Sequence, residues 1–190
     1  MTLSTTTPPA AEPLTLDQAK AHLRVTHDAE DDLIAALLLA ARERVESELG
    51  LALIVTGFHE THDAVPDGPI PLARAPLIAV AAVRFVTKAG TIVLPSDAYL
   101  ARLGARDPVI APAPGVKWPV LATPLDGVRI DYTAGFGTSA GETPAPLKQA
   151  ILALVGYAYD RRGAADSASV ADAPLNLVEP WLAPYRRIRL

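Results

Sequence analysis

The sequence predicts an α+β fold: a helical body assembled from N- and C-terminal segments, with a β-rich insertion between the second and third helices. Three observations carry this. Apolar residues recur at three- and four-residue spacing over 14–50 and again after Thr143. Between 51 and 137 the chain changes to short β-branched runs broken by Pro and Gly. No repeat of the kind that builds solenoids interrupts this order.

In chain order, residues 1–13 are rich in Thr, Pro and Ala, with neither a basic start nor an apolar run. They are expected to be a flexible arm. Thr15 followed by Gln18 fits a capping box, which opens a short helix over 16–23. Arg24-Val25-Thr26-His27 breaks that pattern. Asp28, Glu30, Asp31 and Asp32 then place negative charge at the positive end of a second helix, a capping role. Its stripe is Leu33, Ile34, Leu37, Leu38, Ala41, Val45 and Leu49, and Gly50 fits the left-handed cap. Arg42, Glu43, Glu46 and Glu48 take the other faces, and Glu43 and Glu46 read as solvated.

Strands are expected within 53–61, 80–87, 91–94 and 128–134, with Lys88-Ala89-Gly90 as a short hairpin loop in which Gly90 takes positive φ. Ala111-Pro112-Ala113-Pro114-Gly115 should be an exposed connector, because proline excludes both helix and central strand. A third helix spans 144–162, with Pro144 and Pro146 near its first turn and Leu147, Ala150, Ile151, Leu154, Val155 and Ala158 as its stripe. Gly163 closes it. Residues 14–163 thus form the body, with helices in 14–50, the insertion over 51–137 and the helix over 144–162. Residues 164–190 form a linker, 164–174, and a docking tail.

Composition narrows the function classes. The chain has 190 residues, 50% hydrophobic and 20% charged, which suits one sizeable core. No apolar stretch is long enough to span a membrane, so a cytoplasmic protein is the expectation. With no Cys there is no disulfide framework, thiolate nucleophile or Cys-based zinc site. The formal net charge of −4 lacks the basic excess that drives phosphate binding.

Chemistry is sparse. In His59-Glu60-Thr61-His62 the histidines are three apart rather than four, and in a strand they point to opposite faces, as exposed β residues rather than a metal site. Gly135-Phe136-Gly137-Thr138-Ser139-Ala140 follows a strand and matches a dinucleotide fingerprint, but Gly141, Pro144 and Pro146 delay the helix that should receive a pyrophosphate. The acidic group near Asp28 lacks the glycine and terminal Glu of a calcium loop. No GxSxG elbow is present. No catalytic, metal or cofactor residue is assigned, and no cofactor is expected. The tail is the exception: Trp181, Leu182, Tyr185, Arg186, Arg187 and Arg189 combine apolar anchors with guanidinium groups, the types enriched at interface hot spots. The alternative for Trp181 is packing on the chain's own core. Lying beyond the third helix, 175–190 is expected to be removable without loss of the fold.

The order of several pieces carries a family resemblance. Leu14-Thr15-Leu16-Asp17-Gln18-Ala19-Lys20-Ala21-His22-Leu23-Arg24-Val25, the acidic group after it and the helix ending Glu46-Ser47-Glu48-Leu49-Gly50 open the chain. Asp131-Tyr132-Thr133-Ala134-Gly135-Phe136-Gly137, Pro146-Leu147-Lys148-Gln149-Ala150-Ile151 and Leu182-Ala183-Pro184-Tyr185-Arg186-Arg187 follow in order. Together they resemble the head-tail connector (adaptor) proteins of tailed bacteriophages, a family found also in gene transfer agents. The resemblance spans 14–190 and is dense at the two ends.

It implies a non-enzymatic subunit of a homo-oligomeric ring, a dodecamer in the particle, placed below the portal protein and extending the DNA channel towards the next tail component, or stopper. DNA would pass without specific binding, and the tail would dock on the portal. Setting aside Arg186, Arg187 and Arg189 takes the formal charge from −4 to −7, so the tail is the concentrated basic feature and suits an acidic partner. Two other classes remain in view: a small nucleotide-binding enzyme using 135–141, and a DNA-binding module using Arg161, Arg162 and the tail.

Overall fold

The computed structural model describes residues 1–123, 125–161, 170 and 173–187. Helices and antiparallel sheets coexist, which makes the fold α+β. The chain divides into two compact units, one of 1–9 with 55–135 and one of 10–54 with 136–190.

The unit of 10–54 and 136–190 is helical. Thr15 opens α1 (Leu16–Leu23) with the expected reciprocal cap: its Oγ1 accepts the Gln18 N–H at 3.2 Å, and Gln18 Oε1 accepts the Thr15 N–H at 2.9 Å. α2 (Asp31–Leu49) ends on Gly50 at φ 62°, in the left-handed region where a side chain is disfavoured. α3 (Ala145–Asp160) begins after Pro144, whose missing N–H costs nothing at a helix start. α2 packs on α3, burying Ile34, Leu38, Ala41, Val45 and Leu49, and from α3 Leu147, Ala150, Ile151, Leu154, Val155 and Ala158. Apolar surface removed from water at this seam stabilises the unit by about 25 cal/mol per Å².

Two expectations about α2 are corrected. Glu46 is 9% exposed, not solvated: it accepts from Arg42 Nη1 at 2.7 Å and from the Leu53 N–H at 2.7 Å, which fastens the chain leaving the helix. Asp31 and Asp32 do place negative charge in the first turn of α2, but Glu30 at the N-cap makes no side-chain cap bond. Instead Lys20 Nζ lies 2.6 Å from Asp28 and 2.7 Å from Asp31, tying α1 to the start of α2.

The other unit is built from two antiparallel sheets. Strands β1 (Thr2–Thr7), β2 (Thr56–His62), β8 (Val128–Ala134), β4 (Leu77–Thr87) and β5 (Gly90–Val93) lie in the spatial order β1-β2-β8-β4-β5. The smaller sheet is ordered β3 (Ile70–Pro71), β7 (Val109–Pro112) and β6 (Tyr99–Ala101). Thr87 pairs with Gly90, so the hairpin loop is Lys88-Ala89, one residue shorter than expected, and Gly90, at the expected positive φ of 115°, opens β5.

Within the segment 1–13, expected to be a flexible arm, Thr2–Thr7 form an edge strand. Thr2, Leu3, Ser4 and Thr5 pair with Thr61, Glu60, His59 and Phe58, because a Thr-rich run has the β-branched stiffness a strand favours. Gly57 permits this approach: a Cβ there would lie 2.8 Å from Thr6 Oγ1.

Pro112 also departs from expectation, closing the middle strand of the small sheet. The bonds Arg102 N→Val109 O and Ala113 N→Ala98 O, both 3.0 Å, leave the pair Tyr99–Pro112 between ladder bonds. The register with β3 runs only over Val109 and Ile110, so the missing donor of Pro112 breaks no bond.

Candidate functional site

The described part of the tail, 175–187, the one candidate site in the sequence, is packed on its own helical unit. Val178 and Leu182 are 0% and 1% exposed, Leu182 closing α4 (Glu179–Leu182). Trp181 and Tyr185 are half-buried. Arg186 holds both Glu179 oxygens, at 3.0 and 2.8 Å, and reaches Glu48 of α2 at 2.8 Å. Hydrogen bonds to Glu179 and then Glu48 raise the Arg186 pKa further above its ordinary value, and the same bond holds Glu179 below the usual carboxylate range.

Arg187 donates to the Gly50 carbonyl at 2.7 Å. The last turn of α2 has no basic residue of its own, so Arg187 supplies positive charge at the negative end of the helix dipole. Arg44 of α2 binds the Val170 carbonyl and, at 2.6 Å, that of Ala173. Arg189, Arg162, Gly163 and most of the expected linker lie outside the described residues. The partners of the tail arginines within the chain, which sequence reading did not supply, are Glu48, Glu179 and the end of α2.

The histidine motif separates as strand alternation requires. His59 Nδ1 lies 2.5 Å from Asp131 Oδ1, and Arg84 holds the other oxygen. Burial disfavours the charged form of Asp131, but the bonds from Arg84 and His59 outweigh it and the net pKa is lowered. On the opposite face Glu60 is 0% exposed, accepts Tyr132 Oη–H at 2.7 Å and the Ala73 N–H at 2.9 Å, and lies 3.0 Å from His62 Nε2. Burial, followed by the Glu60 charge, pushes the Tyr132 hydroxyl pKa far up. Glu60 is therefore a core polar group, and the two histidines expected to be exposed are half-buried. Phe58, two residues before Glu60 and buried on the same face, is the signal that marks it.

The glycine-rich loop after β8 holds the chain's own carboxylate. Glu142 Oε2 accepts both the N–H and the hydroxyl of Ser139 at 3.0 Å, and a Cβ on Gly137 would sit 2.1 Å from the Glu142 carboxyl carbon. These bonds, the Ser139 backbone first, lower the Glu142 pKa. Among the described residues no group of three or more His, Cys, Asp and Glu side chains is placed to hold a metal. A shallow open groove of about 490 Å³ in the β unit has Asp63 as its one ionisable lining residue, occupied by the Asp126 N–H at 3.0 Å. Arg161 stacks over the Tyr157 ring, 3.9 Å from its centroid.

These polar groups hold the chain's own elements together. A family model described as phage gp6-like head-tail connector protein matches residues 13–87. Across the full chain the fold resembles three solved structures of gene transfer agent (GTA) particles. A chain described as the neck of an empty GTA particle, computed with C6 symmetry, is 30% identical with a TM-score of 0.78, covering 100% of this chain and 97% of that one. A chain of the virion of a native GTA particle, and one of the neck of a native GTA particle computed with C12 symmetry, are each 28% identical. Both have a TM-score of 0.76, again covering 100% of this chain and 97% of theirs. No match was found among curated proteins. The chain belongs to the gp6-like head-tail connector family, as a structural protein of the phage or gene transfer agent neck.

Proposed function

We propose that copies of this chain form a ring, twelve-fold in the particle, seated below the portal and extending the DNA channel towards a stopper-type tail component. The observation that carries the reading is the full-length similarity to neck chains of particles described with C6 and C12 symmetry. The formal charge of −4 suits a channel that DNA crosses without being gripped. Assembly takes place in the bacterial cytoplasm; no helix among the described residues is long and apolar enough to cross a membrane. In this reading the helices are the ring body and the β unit is an insertion in it.

The tail is the portal-docking element, with Trp181, Leu182, Tyr185, Arg186, Arg187 and Arg189 as its residues. Leu182 acts from beneath, by burial. Arg186 and Arg187 fix the segment on α2, so the half-exposed rings of Trp181 and Tyr185 are the groups left to meet a partner. Electron microscopy of intact particles tests the ring: twelve copies under the portal are expected, and a single copy or empty density there would overturn it.

A further inference from the structure

We infer that the outward face of α2, carrying Leu33, Ala35, Ala36, Leu39 and Ala40, is the surface through which one copy of this chain packs against the next. The inference rests on the ring reading above and goes beyond it by naming the contact. Residues 33–41 form an unbroken apolar run, whereas a helix at a protein surface carries one apolar stripe and one polar face. The inward stripe of α2 is filled by Ile34, Leu38, Ala41, Val45 and Leu49. Of the remaining positions of the run, Leu37 is half-buried and the others point outward. Leu33 is 38% exposed, Leu39 is 43% exposed, and Ala35, Ala36 and Ala40 are exposed between them.

This face is about 12 Å long at 1.5 Å per residue and has exposed acidic residues at both ends, Asp32 and Glu43. An apolar centre within a polar rim is the anatomy of a protein interface, and permanent homo-oligomer contacts are the more apolar kind. The alanines let a neighbouring backbone come close. DNA is a poor occupant, because the face has no cation and no side-chain donor to meet a phosphate. A portal contact draws on the tail, whose Trp, Tyr and Arg lie on other elements. A second copy fits because a rotational ring repeats one lateral contact at every subunit, and each copy brings this face.

The test uses particles assembled with the full chain. A photo-crosslinking benzoylphenylalanine at position 39 should give, on irradiation, a ladder of this chain joined to itself. Leu39→Lys and Ala36→Glu should leave the helix content and melting temperature of the isolated chain within about 2 °C, since both sites face outward. Their occupancy in particle necks should fall about tenfold or more. Val93→Lys, at a 61% exposed site on β5, should assemble normally. Cross-links to DNA or to another particle protein, or normal occupancy by both charged variants, would overturn this inference alone. Absence of the wild-type chain from the neck would remove the ring reading and this inference with it. The cross-link reads independently of whether the charged variants fold.

Discussion

Arg187, near the end of the tail, donates to the carbonyl of Gly50 at 2.7 Å, so the last helix of the N-terminal pair is capped by a residue far along the chain. Together with the Arg186–Glu48 pair at 2.8 Å and the burial of Val178 and Leu182, this makes the tail part of the helical unit's packing. Deleting 175–190 should therefore lower the melting temperature, contrary to what its position beyond the third helix suggests. Leu182→Ala alone should cost about 2–5 kcal/mol in urea unfolding, the range for a buried leucine. An unchanged midpoint for both variants would show that the tail packs on nothing.

Arg42 and Glu46 form a mostly buried ion pair in which Glu46 also holds the Leu53 N–H. Arg42→Met should destabilise by roughly 3–5 kcal/mol, because it strands a buried carboxylate. Replacing both partners by apolar residues of similar volume should recover much of that loss, leaving the Leu53 N–H as the remaining deficit. A double-mutant cycle by denaturant unfolding measures the coupling.

Stability should fall in acid. Asp131, Glu142 and Glu179 all have folded-state pKa values below their ordinary ones. The unfolded chain then binds more protons as pH drops, so their contribution is full above the ordinary carboxylate range near 4 and is lost as pH falls through the lower folded values. Asp131→Asn should flatten the slope of melting temperature against pH below about 4. An identical slope in the variant would show that the Arg84–Asp131–His59 contact is not coupled to folding.

Much of the fold is legible in the sequence because its signals are local. Thr15 and Gln18 cap each other within one turn, Gly50 supplies its own left-handed turn, and the apolar stripe of α3 needs only its spacing. What was not legible depends on residues far apart. β1 becomes a strand because β2 offers an edge with Gly57 at the point of closest approach. Glu60 is buried because Tyr132 and the Ala73 N–H meet it across the fold. Glu46 and the tail arginines follow the same rule: their charges are visible in sequence, but their partners are set by packing.

The glycine-rich loop should bind no nucleotide, because Glu142 already occupies its donors. Gly137→Ala should displace that carboxylate and cost about 1 kcal/mol, the value of a lost cap. The same substitution in a Glu142→Ala background should cost less, since the clash is then gone. A saturable thermal shift with ATP or NAD, abolished by Gly137→Ala, would instead assign the loop a ligand.

The proposed docking of the tail on the portal is separable from its packing by choosing residues according to exposure. Arg186→Glu would place a carboxylate between Glu48 and Glu179, so it should loosen the tail and lower the melting temperature whatever the portal does. It cannot isolate docking. Trp181 and Tyr185 are only half-buried, and truncating each to alanine should disturb the helical unit less than Leu182→Ala does. If their exposed ring faces meet the portal, each truncation should weaken co-sedimentation with portal rings by about 2 kcal/mol or more, as at a hot spot, while helix content is retained. Undiminished binding by the Trp181→Ala, Tyr185→Ala double variant would sink the docking role and leave the tail as packing alone.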